Sequence, residues 1–165
     1  MSAATAAVIG VRGYLQSNKR AEEARKRELE TRQAQMFMNI YQQIITKEFV
    51  DAWRKVYEDS NWSNYAEFQE LWREKGFRDS FNIVGTYFEG IGVLVKEGPL
   101  PIRMVALLMC GMVLSYWEKV APIIGEARRV MGFSRFLSES EYLYVELVKY
   151  IGGHPELQTT AYKPV

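Results

Sequence analysis

Cysteine and histidine occur once each in the 165 residues. One cysteine excludes an internal disulfide, and one histidine beside it cannot assemble the usual transition-metal ligand sets. No metal is therefore expected. Net charge is small, +1, so no overall field draws the chain toward nucleic acid or acidic lipid. Strand-length alternation of apolar and polar residues is missing, which leaves no candidate β-strand. Long apolar runs are missing too. Met104 to Leu114, preceded by Arg103, reaches about half the ~20 residues needed to span a bilayer and reads as core. Met1 to Gly10 has no basic leader before its apolar residues, so no secretory signal is expected.

What is present is the balance of a globular protein, 48% hydrophobic and 25% charged residues in a length suited to one domain. Cys110 lies within the Met104–Leu114 run and reads as a small buried hydrophobe in a reducing, cytoplasmic compartment.

The periodicity is helical almost throughout. A first helix is expected from before Ser17 to about Asp59. Its front half, Asn18 to Gln35, is nearly all charge, Ala and Gln, and would extend roughly 27 Å. Glu22–Lys26, Glu23–Arg27 and Glu28–Arg32 are acid-then-base pairs four residues apart, each worth a few tenths of a kcal/mol. Its back half carries an apolar stripe through Met36, Ile40 and Ile44, with Phe37, Tyr41, Phe49 and Trp53 on the adjacent row. A short helix follows over about Tyr65 to Lys75, ended by Gly76, and another over Ser80 to Glu97. Gly98-Pro99-Leu100-Pro101 punctuates the chain. A further helix covers Ile102 to about Lys119, with Pro122 kinking it or starting a new one that ends near Gly132. Ser138-x-x-Glu141 has the form of a capping box for a last helix, stopped by Gly152-Gly153. The expectation is an all-α bundle of about five helices with a long, projecting charged N-terminal helix. Residues 1–35 form an apolar tip and charged arm, 36–152 the bundle, and 153–165 a tail.

Two acids follow aromatic pairs in apolar company: Glu89 in T-Y-F-E-G and Glu118 in S-Y-W-E-K. On a helical wheel Glu89 lies roughly 130° from the apolar stripe of its helix, beside Asn82 and Thr86, so it should face outward or line a groove. Glu118 shares a side with Met104, Leu107, Gly111 and Ser115 on a helix that is apolar all round, which should make that helix central and Glu118 a buried structural acid. Catalysis would need a second acid or base, and a di-metal bundle would need Glu-x-x-His pairs that the lone His154 cannot supply. Gly85, Gly90 and Gly92 have no preceding strand and no Lys-Ser/Thr, so they read as close helix packing rather than a phosphate loop. No catalytic, cofactor-binding or metal residue is assigned.

Aromatics concentrate from Trp53 to Phe77, including Trp62 and Trp72. They read as an apolar corner where the short helix folds back; with Asn82 and Glu89 they would instead line a ligand groove. Residues 1–35 hold seven basic and four acidic side chains, too interleaved for nucleic acid. Ala3 to Val11 are small or apolar, followed by Arg12, Tyr14 and Leu15. Nine such residues cannot span a membrane, yet they want a partner surface or lipid interface. Val8, Ile9, Val11, Tyr14 and Leu15 are the candidate docking residues.

The runs F-N-I-V-G-T-Y-F-E-G-I-G-V-L-V-K-E-G, Y-W-E-K-V-A-P-I-I and S-E-Y-L-Y-V-E-L resemble, in order and spacing over about Met36 to Ile151, the bacterial and archaeal domain of unknown function 4760. The resemblance implies an all-helical domain whose members often follow an N-terminal membrane segment and a charged helix. It brings no established activity. This chain carries only a stub of such a segment. The expected function is a non-enzymatic accessory protein, docked through its N-terminal arm to a protein partner, a membrane-associated complex or a membrane surface on the cytoplasmic side. A small-molecule sensor or binding domain using a groove near Asn82, Glu89 and the Trp62–Trp72 aromatics is the alternative.

Overall fold

The computed structural model describes residues 3–157, with side chains for Tyr14 and for residues 16–157. The described residues form α1 (Ala3–Ile44), α2 (Lys47–Tyr57), α3 (Tyr65–Arg73), α4 (Lys75–Lys96), α5 (Ile102–Met131), α6 (Ser138–Gly152) and a 3-10 turn (Pro155–Leu157). The chain divides into two compact units, Met1–Met38 and Asn39–Val165.

The first unit is the N-terminal part of α1. Residues 16–32 are all exposed. Of the three expected acid–base pairs only Glu28–Arg32 closes, at 2.6 Å, and both side chains are well exposed, so it adds little. Tyr14 is exposed. The side chains of Val8, Ile9, Val11 and Leu15, and residues 158–165 of the expected tail, lie outside what is described.

The second unit begins inside α1, where Ile40 is buried and its carbonyl accepts from the Tyr87 hydroxyl at 3.1 Å. The single helix expected to reach Asp59 is two helices. The β-branched run Ile44-Ile45-Thr46 is a poor helix former, and Thr46 turns extended (φ −65°, ψ 144°). Its Oγ1 donates to the Gln43 carbonyl at 2.8 Å and accepts from Phe49 N–H at 3.2 Å, ending α1 and capping α2 with one side chain.

At α3, Asn64 Oδ1 accepts from Glu67 N–H at 3.1 Å while Glu67 Oε2 accepts from Ser63 N–H at 2.8 Å. This reciprocal cap at Asn64-x-x-Glu67 opens the helix. Gly76 does not stop a helix; it lies in the first turn of α4, and the break is one residue wide, at Glu74 (ψ 119°).

The central helix is α4, not the one beginning at Ile102. It lies against α2, α3 and α6, and Phe88 and Phe81 meet Tyr116 of α5 at 4.8 and 6.4 Å. One face of α5 is core, through Val105, Met109, Val113, Tyr116, Val120 and Ile123, but Leu107 is 55% exposed and Gly111 is also outside. Its kink is at Met109 (φ −139°, ψ 23°), whereas Pro122 sits on the exposed side of a continuing helix. Gly132 closes α5 in the left-handed conformation (φ 64°), donating to the Arg128 carbonyl. Because α5 continues to Met131, it is long and apolar enough to cross a membrane by length and composition, the one such helix among the described residues. Core helices meet the same criterion, and the buried face of α5 reads as core.

Candidate functional site

Glu118 is exposed, which overturns the expectation of a buried acid. The wheel grouped it correctly with Leu107 and Gly111; that side faces outward, because Tyr116 and Trp117 take the interior. Lys119 is the charged group of Y-W-E-K that the fold uses. Its Nζ donates to the Tyr57 and Ser60 carbonyls at 3.0 and 2.7 Å beyond the end of α2, and stands 4.9 Å over the Trp62 ring. Burial lowers its proton affinity below the ordinary lysine value. Cys110, expected to be buried, is half-buried, and partial burial raises its thiol pKa.

Trp62 and Trp72 do not share a groove with Asn82 and Glu89. Trp62 is buried between Phe68 and Phe77, at 5.5 and 5.6 Å, and Trp72 is 5.5 Å from Phe81. These rings form the apolar corner under α3.

Asn82, Thr86 and Glu89, spaced four and three apart, make a polar ridge along one side of α4. Opposite it runs the connection from α5 to α6. Together they enclose a cleft of about 210 Å³ lined by Phe81, Asn82, Gly85, Thr86, Glu89, Phe133, Arg135, Phe136 and Leu137. The connection is held by Arg128, whose Nε donates to the Phe136 carbonyl at 2.9 Å and whose Nη2 donates to Glu141 at 2.7 Å. Leu137 is buried and left-handed (φ 53°), the only non-glycine residue with positive φ among those described. That conformation is costly for a branched side chain and is retained where packing over-determines it.

Leu137 is also the N-cap of α6, and no side chain of its own segment caps the helix. The expected box at Ser138-x-x-Glu141 does not form: the helix starts one residue earlier, Glu141 N–H donates to the Leu137 carbonyl and Ser138 N–H to the Arg135 carbonyl, and the Glu141 carboxylate accepts from Arg128. Glu89 reaches across from α4 instead: its Oε2 accepts from Ser140 N–H at 2.7 Å and lies 3.5 Å from Ser140 Oγ. A carboxylate at a helix N-terminus meets both unpaired N–H groups and the positive end of the dipole. Gly92 permits this approach, since a Cβ there would collide with the Glu139 carbonyl. Gly85 also serves close packing, whereas Gly90 is exposed and meets nothing.

The electrostatics are split between neighbours. Burial raises the Glu89 pKa above the ordinary value, against the pull of the Ser140 and Glu139 N–H groups, and the Glu139 charge adds to the rise. Glu139 is held below its ordinary value by Lys96 at 2.9 Å and by Arg135 at 3.2 Å. Beneath the cleft, Tyr116 is 2% exposed and its hydroxyl has no hydrogen-bond partner. A Cβ on Gly85 would stand 3.1 Å from Tyr116 Oη and 3.4 Å from Leu137 Cδ2, so the hydroxyl ends in the notch over Gly85. Burial, and then the Glu89 charge, push its pKa up, which keeps it a neutral donor and acceptor. Spacing along the chain gives no sign of Tyr116, Leu137 or Ser140, because they meet α4 only in three dimensions.

Among the described residues that line the cleft, none forms a nucleophile–base pair. Among the described residues no three His, Cys, Asp or Glu side chains are placed to hold a metal. Neither the curated proteins nor the solved structures hold a match to the chain. A family model covers residues 1–147, and the chain belongs to that family, the Domain of unknown function (DUF4760).

Proposed function

We propose that this protein is a non-enzymatic accessory protein that docks, through its N-terminal helix, onto a membrane-associated complex or membrane surface on the cytoplasmic side. The observation that carries the reading is the exposure of every residue from 16 to 32 within one 42-residue helix. Such a helix gains nothing from packing over that length, and isolated charged helices fray. A long charged helix of this kind makes physical sense if its far end, Ala3 to Leu15, is held by a partner. So short an apolar tip binds lipid weakly, so firm attachment needs a protein partner or a second signal.

The test compares the full chain with a chain starting at Thr31 and with Ile9→Asp. Both variants should stay folded and leave the membrane or complex fraction. Fractionation like the wild type overturns the reading. A second reading, that the 39–157 unit senses a small molecule, is supported by the cleft of about 210 Å³ lined by Asn82, Thr86 and Glu89 of α4 and by the α5–α6 connection.

A further inference from the structure

The outward side of α5 is apolar and uncovered. Leu107 is 55% exposed, Gly111 is exposed, and Met104, Leu108, Leu114 and Ser115 around them are half-buried. Of the most apolar 18-residue stretch of this helix only 39% is buried. Helix α6 widens the face: Tyr144 stands 6.3 Å from Trp117, and Val148, one turn further along α6, is 45% exposed. A continuous apolar face of this kind marks a contact surface.

Charge selects the occupant. Between positions 103 and 118 the chain has two charged residues, Arg103 at one end and Glu118 at the other. Both are exposed, and neither makes an ion pair among the described residues. Gly111 lies nearly midway, eight residues after Arg103 and seven before Glu118, or about 12 and 10.5 Å along the helix. Opposite charges at matched distances from a central small residue make the face complementary to itself turned end over end, as an isologous contact requires. Two copies crossing antiparallel at Gly111 would set Arg103 of each against Glu118 of the other, and Leu107 against Leu114. A parallel pair would set like charges together, which is unfavourable. A lipid surface fits less well, because it would have to take up the Glu118 charge. Glycine at the crossing lets two backbones approach closely. Its own chain does not need it there, since a Cβ at 111 meets nothing within 4 Å.

We infer that the protein forms a two-fold homodimer through the outward side of α5, the two helices antiparallel and crossing at Gly111, with Arg103 of each copy beside Glu118 of the other. The inference goes beyond the docking reading and does not depend on it. The charge pairs lie at the solvent-exposed ends of the contact, so they fix its orientation more than they add stability.

The test is sedimentation equilibrium of the full-length protein. A contact of this size is at the small end of specific interfaces, so the mass should rise from one chain of 19.1 kDa toward twice that value over roughly 1–100 µM. Leu107→Asp and Gly111→Leu should hold it at one chain while circular dichroism shows the fold intact. Arg103→Glu and Glu118→Arg should each weaken association roughly tenfold, and the two together should restore it. Ile9→Asp, which tests the N-terminal arm, should leave the mass unchanged, so the two readings fail separately. A mass of one chain at every concentration overturns the dimer. Association that survives Leu107→Asp and Gly111→Leu overturns α5 as its seat. A charge-swapped double variant no better than either single variant overturns the antiparallel register.

Discussion

The segments Tyr87-Phe88-Glu89 and Tyr116-Trp117-Glu118 read alike, two aromatics and an acid on apolar helices, and they reach opposite ends. Glu89, placed away from its helix's stripe, is held by Ser140 from 51 residues away. Glu118, assigned to the interior, is exposed. A wheel ranks the sides of one helix but contains nothing about the neighbours. Glu89 is held because Gly92, less than a turn further along α4, admits the Glu139 backbone and brings uncapped N–H groups within reach. Beside Glu118 the working charge is Lys119, aimed at the end of α2.

The sharpest way to break the comparison is to push the two helices apart. Gly92→Ala forces a methyl into the Glu139 carbonyl and should destabilise the protein by about 3 kcal/mol. Chemical denaturation measures it, and a loss below about 1 kcal/mol would show that α6 does not depend on that approach. Glu89→Ala leaves Ser140 N–H without its acceptor and should cost about 1–3 kcal/mol, with faster amide exchange in the first turn of α6. Equal exchange in both proteins would remove Glu89 as the cap.

A smaller effect separates Glu89 from Glu139 by sign. The Glu89 pKa is raised in the folded protein, so the fold binds its proton more tightly than the unfolded chain and loses stability as pH rises above the ordinary value of 4.5. The Glu139 pKa is lowered, so its contribution is present above 4.5 and lost as pH falls. Melting temperatures measured across that window should therefore diverge. Glu89→Gln should improve relative to wild type as pH rises, and Glu139→Gln should worsen. Parallel curves would contradict the split. The smallest effect is at Glu118: Glu118→Ala should change stability by no more than about 0.5 kcal/mol, and a larger loss would mean that it has a structural partner after all.

Much of the helical order was legible. Of the stripe Phe81, Val84, Phe88, Ile91 and Val95, the first four are buried as their spacing predicts and Val95 is half-buried, and Gly98 and Gly132 fall where helices end. The break at Thr46 was not legible, because an apolar period continues through it on both sides. Nor were the caps. Asn64-x-x-Glu67 and Ser138-x-x-Glu141 have similar form, yet only the first closes on itself, since α6 is capped one residue before Ser138 and the Ser138 and Glu141 N–H groups already meet backbone carbonyls. Of the expected groove, Asn82 and Glu89 do line a cleft with the α5–α6 connection, while Trp62 is consumed by the aromatic corner.

By itself the sequence determined that the chain is helical, where most of its helices lie and that residues 16–32 have no apolar face, because period and composition act over a few turns of one segment. Only the tertiary structure decided which side of α5 faces outward, that α4 is central, and that Glu89 rather than Glu118 is the held acid. Those outcomes depend on how closely two backbones approach and on which unpaired N–H groups arrive opposite a given side chain. Glycine at position 92 and the uncapped start of α6 had to meet in space before the carboxylate between them acquired a role.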